Sequence, residues 1–247
     1  MIAALLRPRL GAAALAAMAA VCAGGAPTLA GPDEPCGEVF AHSDPEPAVF
    51  RALRHTVPGT YVDRLATTDQ GLPILPVWCV WVEPLPEGGG SRWDRRWFEA
   101  VEAALSTWSQ HLSLVRVADA GRAQVLVQRR RPQRRQIAGV WRASHGRGTL
   151  LLRRVNRSGD SPEGTDLAES PLEPLVVVQV SPDQRRQAIE ATALHELGHA
   201  FGIWGHSDEA ADAMATAPGA EPVLKLSERD RRTLEWLRRQ PTGFGRP

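Results

Sequence analysis

The densest chemistry in the chain lies in His195-Glu196-Leu197-Gly198-His199. Two imidazoles four residues apart stand one turn above each other on the same helix face, so two ring nitrogens can converge on one metal ion. Glu196 sits beside that pair, placed to reach a water next to the metal rather than the metal itself. The pattern fits hydrolysis: the cation lowers the pKa of a water and the carboxylate takes its proton. A helical histidine pair alone is equally compatible with a polar surface stripe, so its surroundings decide the reading.

Gly202 stands three residues after His199, where a helix must end and the backbone reverse through a conformation that glycine tolerates best. His206-Ser207 follows. The run from His195 to Ser207 resembles the extended zinc motif of metzincin metallopeptidases, in particular the matrixins. It resembles more closely a bacterial group of predicted zinc proteases, known from cyanobacterial sequences, that share the Gly-Ile-Trp-Gly-His-Ser run. One residue is inserted relative to the usual metzincin spacing, because His206 lies four residues after Gly202 rather than three. Met214, eight residues past His206, matches the separation at which matrixins place a methionine in a tight turn beneath the metal. The aromatic and proline usual after that methionine are replaced by Ala215 and Thr216. The resemblance covers about residues 74–240, with its specificity concentrated at 195–207.

The resemblance implies an α+β, single zincin (metzincin-like) catalytic domain, a twisted mixed sheet with three main helices. It implies Zn²⁺ held by His195, His199 and His206, structural support from Gly202 and Met214, and Glu196 as the catalytic general base. The implied activity is that of a secreted zinc-dependent endopeptidase acting on a peptide or protein substrate. Within the enzymes, Asp208 is an alternative third ligand, and a gluzincin-type glutamate would have to be Glu221, poorly placed between Pro218 and Pro222. The alternative from another class is a non-catalytic metal-stabilised binding module. Retention of Glu196 argues against that module, because a structural site has no use for an unliganded carboxylate beside the water. Tyr61, the sole tyrosine, lies far in sequence from Met214, which leaves oxyanion stabilisation to the metal or to unidentified backbone or Arg groups.

The elements that must position this site follow from periodicity and punctuation. Ser181-Pro182-Asp183-Gln184 carries an N-cap, a proline at the first helical position and a Gln three residues past the cap, which predicts a helix from Pro182 to about Phe201. Trp93, Trp97, Val101, Leu105, Trp108 and Leu112 recur every three or four residues and predict a core-facing helix from about Arg92 to Gln110. Ser227 with Asp230 opens a last helix that Pro241 stops. Strands are predicted around Val77 to Val82, Leu114 to Val117, Val125 to Gln128, Thr149 to Arg153 and Leu175 to Val180, with a turn at Asp119 to Gly121. Five arginines between Arg129 and Arg135 read as a solvated loop, and Ser158 to Pro174 as a surface loop. Residues 31 to about 70 lack sustained periodicity, apart from one short helix expected around Ala48 to Arg54.

Composition removes other classes. The 247 residues carry 29 basic against 28 acidic side chains, so a polyanion-binding module is disfavoured and no nucleic-acid partner is expected. Arg7 and Arg9 precede an uncharged Ala- and Leu-rich stretch ending in Thr28-Leu29-Ala30, the layout of a signal peptide cleaved near Ala30. Gly24, Gly25 and Pro27 break that stretch before the ~20 apolar residues of a membrane span, so no stable span is expected after cleavage. The mature protein would be secreted or periplasmic and is expected to act as a monomer. Residues 31–73 then form an N-terminal extension or propeptide-like segment, 74–240 the peptidase domain and 241–247 a tail. Cys36 and Cys79 are the two cysteines past the cleavage point, and an oxidising compartment favours a disulfide between them. Pro35-Cys36-Gly37 also resembles faintly the inhibitory cysteine segment of matrixin zymogens, though Asp33 and Glu34 stand where a basic residue is usual.

Overall fold

The computed structural model describes residues 36–41, 43–137, 139–157, 170–217 and 219–244. The expected signal peptide, and residues 158–169 of the expected surface loop, lie outside them. In chain order the elements are β1 (Val39–Ala41), β2 (Glu46–Pro47), β3 (Arg51–Ala52), β4 (Ala66–Thr67), β5 (Val77–Val82), α1 (Arg92–Ser109), β6 (Ser113–Arg116) and β7 (Val125–Gln128). They continue with β8 (Arg135–Ile137), β9 (Val140–Arg142), β10 (Gly146–Arg157), β11 (Leu172–Val180), α2 (Arg186–Ala200) and α3 (Glu228–Arg238). The architecture is α+β, a mixed, twisted sheet with three helices among the described residues.

The main sheet runs β1-β10-β11-β7-β5-β6, with β2 also pairing with β10. β6, β5, β7 and β11 are parallel, while β10 is antiparallel to β11. Val80, Val125, Val127, Val176 and Val178 are all buried and, at paired or alternate positions, line one face of the sheet. The Thr149 to Arg153 strand is the middle of a longer one. At Asp119, the side chain accepts from Gly121 N (2.8 Å) and caps a 3-10 turn.

α1 begins at a reciprocal Ser91–Asp94 capping box and buries Trp97, Val101, Leu105 and Trp108. Buried indole N–H groups need acceptors. Trp97 donates to the Val180 carbonyl (3.0 Å) and Trp108 to the Leu194 carbonyl (3.0 Å), which fastens α1 to the end of β11 and to α2. Trp93 departs from the expected stripe. It is 48% exposed, with the guanidinium groups of Arg92 and Arg96 each 4.3 Å from its ring centroid, cation–π contacts that suit a solvent-facing ring. α3 starts as expected, with a Ser227–Asp230 capping box.

Three further expectations are corrected. α2 starts at Arg186 rather than Pro182, because Ser181 donates its N–H to the His145 carbonyl (2.8 Å) and accepts from Asp183 N (3.3 Å), holding the chain against the sheet in a turn. The segment around Ala48 to Arg54 is not helix: Arg51–Ala52 form a short strand and the rest is irregular. Pairing of Glu46–Pro47 with Leu151–Leu152 and of Arg51–Ala52 with Ala66–Thr67 outweighs its local helical tendency. Arg129 is not solvated: it pairs with Glu83 and Asp94, each at 3.3 Å, while Arg135 enters the β8–β9 hairpin. No helix of the described residues is long and apolar enough to cross a membrane.

The N-terminal segment is packed into the same core as the rest, with Tyr61, Leu65 and Leu72 all buried there. Cys36 is joined to Cys79 by a disulfide spanning 43 residues, so it presents no free thiol to the histidines. Closing a loop of that length constrains the unfolded chain by ~4 kcal/mol in the chain-entropy model. Replacing both cysteines with Ala is expected to lower unfolding stability by ~2–4 kcal/mol in urea titrations, and a loss under ~0.5 kcal/mol would show that the bond is absent or unimportant.

Candidate metal centre

α2 is buried on several faces, through Ile189, Ala193, Leu194, Leu197 and Ala200. Its imidazoles are therefore fixed by a rigid, enclosed scaffold. Candidate ligand nitrogens of His195, His199 and His206 all lie within 4.8 Å of one another. The rings of His195 and His199 meet edge-on at 4.9 Å, and His206 closes the group at 5.2 and 4.9 Å from them.

Backbone carbonyls set the tautomers. His195 Nδ1 lies 2.9 Å from the Ala213 oxygen and His199 Nδ1 2.7 Å from the Ile203 oxygen. A carbonyl only accepts, so Nδ1 carries the proton in both and Nε2 is left as the donor for a cation. Burial lowers the pKa of His195 to about 4 and of His199 to about 3, with His206 also lowered by burial. The imidazoles are thus neutral at physiological pH, the form that binds metal. Three neutral imidazoles, two of them oriented by carbonyls, are a donor set that fits Zn²⁺, which favours nitrogen donors.

The loop carrying His206 begins at Gly202, whose φ of +105° lets the chain reverse while Ile203 N donates to the Gly198 carbonyl (2.9 Å). Trp204 stacks on His199 with centroids 5.5 Å apart. Met214 is fully buried under α2, and a Cβ at Gly198 would lie 2.2 Å from its Sδ, so the thioether occupies the notch that glycine leaves. Ser207 N donates to the Met214 carbonyl (2.7 Å), which closes the turn beneath the histidines.

Tyr61, remote in sequence, lies in that same support. Its hydroxyl donates to Asp230 Oδ1 (2.8 Å), while Asp230 Oδ2 accepts from Ala213 N (2.8 Å), the residue whose carbonyl orients His195. Burial and then the Asp230 charge raise the Tyr61 pKa far above its usual range, so it remains a donor. Sequence reasoning missed this contact because 169 residues separate the partners. Asp208, the alternative third ligand, is instead engaged by Arg64 (2.8 Å) and Arg229 (2.7 Å). Glu221 is exposed and outside the cluster.

Glu196 shares a cleft of about 470 Å³ with the three histidines, Arg147 and Trp204. Burial pushes its pKa up to about 7, against the opposing pull of the nearby Gly148 N–H and of Arg147. A Cβ at Gly146 would lie 2.5 Å from Glu196 Oε1, so β10 approaches the carboxyl as closely as a backbone can.

No family model matches the chain, and no curated protein matches it. The centre is read from its own geometry: three histidines that can hold a metal ion, beside a buried carboxyl that is not one of them.

His206→Ala should release the metal under dialysis conditions that leave Asp208→Asn loaded, as read by zinc content. The reverse ranking would make Asp208 the ligand. The metal-free protein also has a defined pH response. His195 and His199, depressed in the fold, take up protons on unfolding below about pH 6.5, whereas Glu196, raised to about 7, releases one. Two uptakes against one release mean that stability is lost as pH falls from 7 to 5. The Tm of metal-free protein should drop over that window, and a flat or rising Tm would contradict the assigned burial.

Proposed function

We propose that this protein is a zinc-dependent endopeptidase with a metzincin-like centre, exported to an oxidising compartment. The reading accords with the resemblance of residues 195–207 to the metzincin zinc motif. The observation that carries it is Glu196, a buried carboxyl with a pKa near 7 that faces the histidine cleft without belonging to the ligand set. A proton-transfer group works best when its pKa lies near the working pH.

His195, His199 and His206 would hold the zinc ion through ring nitrogens, two of them fixed by carbonyls behind them. Bound zinc supplies a Lewis acid that polarises a carbonyl and acidifies a water. Glu196 takes a proton from the attacking water on a carboxylate oxygen as the water oxygen bonds to the scissile carbonyl carbon. It then delivers that proton to the amine nitrogen as the C–N bond breaks. The nearby Gly148 N–H favours the charged form of the carboxyl. Peptide recognition has a main-chain basis too. β2 covers β10 at Leu151 and Leu152 and Ala48 reaches Leu150, but among the described residues no strand pairs with the outer edge at 146–149, beside the cleft. An extended segment can add to such an edge.

The second reading is a metal-stabilised binding module on the same fold, without turnover. It is favoured by the position of the sole tyrosine, buried under the Met214 turn and absent from the cleft lining. Glu196→Gln separates the readings. The amide keeps the shape and loses the basicity, so zinc content should hold while peptide hydrolysis falls by at least ~10²-fold. Near wild-type cleavage with zinc bound would remove Glu196 from the mechanism, and a wild type inert on a broad peptide library would favour the module.

A further inference from the structure

We propose that the cleft selects acidic polypeptide segments and that Arg147 reads the acidic side chain, an inference that rests on the peptide-binding reading above. The alternation of β10 turns Gly146 and Gly148 towards α2, where a Cβ on either would meet Glu196 or His199. Arg147, between them, points to the other face of the sheet at the same open edge, and it lines the cleft. A peptide strand laid against 146–149 would place the side chain opposite Arg147 on Arg147's face, within the reach of directly opposed cross-strand neighbours.

Arg147 forms no ion pair there, and the carboxyl that acts on it is that of Glu196, in the same cleft. Arg147 Nη2 donates to the Gln133 carbonyl (2.6 Å), which fixes the guanidinium on a neutral acceptor. Arg135 of the β8–β9 hairpin is near enough to repel it, and burial with that repulsion lowers the Arg147 pKa, opposed by Glu196. Among the described residues neither Arg147 nor Arg135 forms an ion pair, whereas Arg129 is held by Glu83 and Asp94, and Arg229 by Asp208 and Asp212. Two neighbouring guanidinium groups, one part-buried and both unpaired, gain when a carboxylate arrives, and Arg can bind it through two parallel hydrogen bonds.

The test uses zinc-loaded protein and peptides that differ at one position, Glu, Gln or Lys. Wild type is expected to favour the Glu peptide over the Gln peptide by on the order of fivefold in kcat/KM, the scale of a partly exposed ion pair. Arg147→Gln should abolish that ratio, and Arg147→Glu should turn it towards Lys. The same Glu preference should appear as binding, by fluorescence anisotropy, in Glu196→Gln, where no turnover is required. Acid-selective binding without cleavage by wild type leaves the proposal standing and removes the peptidase reading. Equal use and equal binding of all three peptides overturns the proposal. So does an Arg147→Gln variant that loses activity by one common factor on every peptide, since Arg147 would then act only through Glu196. Rising salt should erode the wild-type preference, a measurement that needs no variant, and a preference indifferent to salt also overturns it.

Discussion

Asp230 is completely buried, so water cannot solvate its carboxylate and the protein must supply the donors. Three do so: the Tyr61 hydroxyl, Ala213 N and Ser227 N (3.0 Å). Each donor comes from a different part of the chain, the N-terminal segment, the turn before Met214 and the start of α3. One carboxylate therefore fixes three segments at once, and the Ala213 peptide it grips points its carbonyl at His195 Nδ1. Losing any one donor would leave buried charge short of a partner, which costs far more than an average hydrogen bond contributes. The ring orientation of His195 is in this sense set by a residue that never approaches the metal site.

The site is also a place where packing is unusually close and polar groups are unusually deep. Gly198 admits Met214 against α2, and Gly146 admits the Glu196 carboxyl against β10, both at separations that a methyl group would forbid. Burial keeps His195 and His199 neutral and Glu196 easily protonated, a mixture that an apolar core would improve upon if stability were the only requirement. A cation bound to the imidazole nitrogens converts that buried polarity into stabilisation, because binding to the folded site alone favours folding. The same enclosure that depresses the histidines prepares them as ligands.

What the sequence made legible was local. His195 and His199 share a face because 3.6 residues make a turn, α3 starts where Ser227 and Asp230 satisfy each other's backbone, and the apolar strands announce the sheet. His206 and Met214 were visible through spacing that resembles a known motif, with no local physics to require it. In two of the failures a distant partner overrode a local signal, and in the third the helix's own neighbours did. Ser181 carries cap chemistry but bonds to His145, the Ala48 to Arg54 segment has helical composition but pairs with Ala66–Thr67 through Arg51–Ala52, and Trp93 keeps the stripe's period but is covered by Arg92 and Arg96 instead of core. Arg129 and Arg135 belong to one basic cluster in the sequence, and only the fold separates the committed guanidinium from the unpaired one.

The loop from Gly202 to His206 is held by the N-terminal segment. Ala66 N donates to the Trp204 carbonyl (2.7 Å), and Leu65 pairs with Gly205 as an isolated antiparallel bridge, so the loop is held like a short strand. Arg64 continues the contact by pairing with Asp208, two residues past His206. An unheld loop would sample several positions for the third imidazole, and the affinity of a three-ligand site falls with every ligand that must be ordered on binding. The segment 61–66 therefore does for His206 what carbonyls do for the two helical histidines. Because the same segment also supplies Tyr61 to Asp230 and is followed by buried Leu72, its removal would expose the core and free His206 together, which ties the order of the metal centre to the N-terminal segment remaining in place.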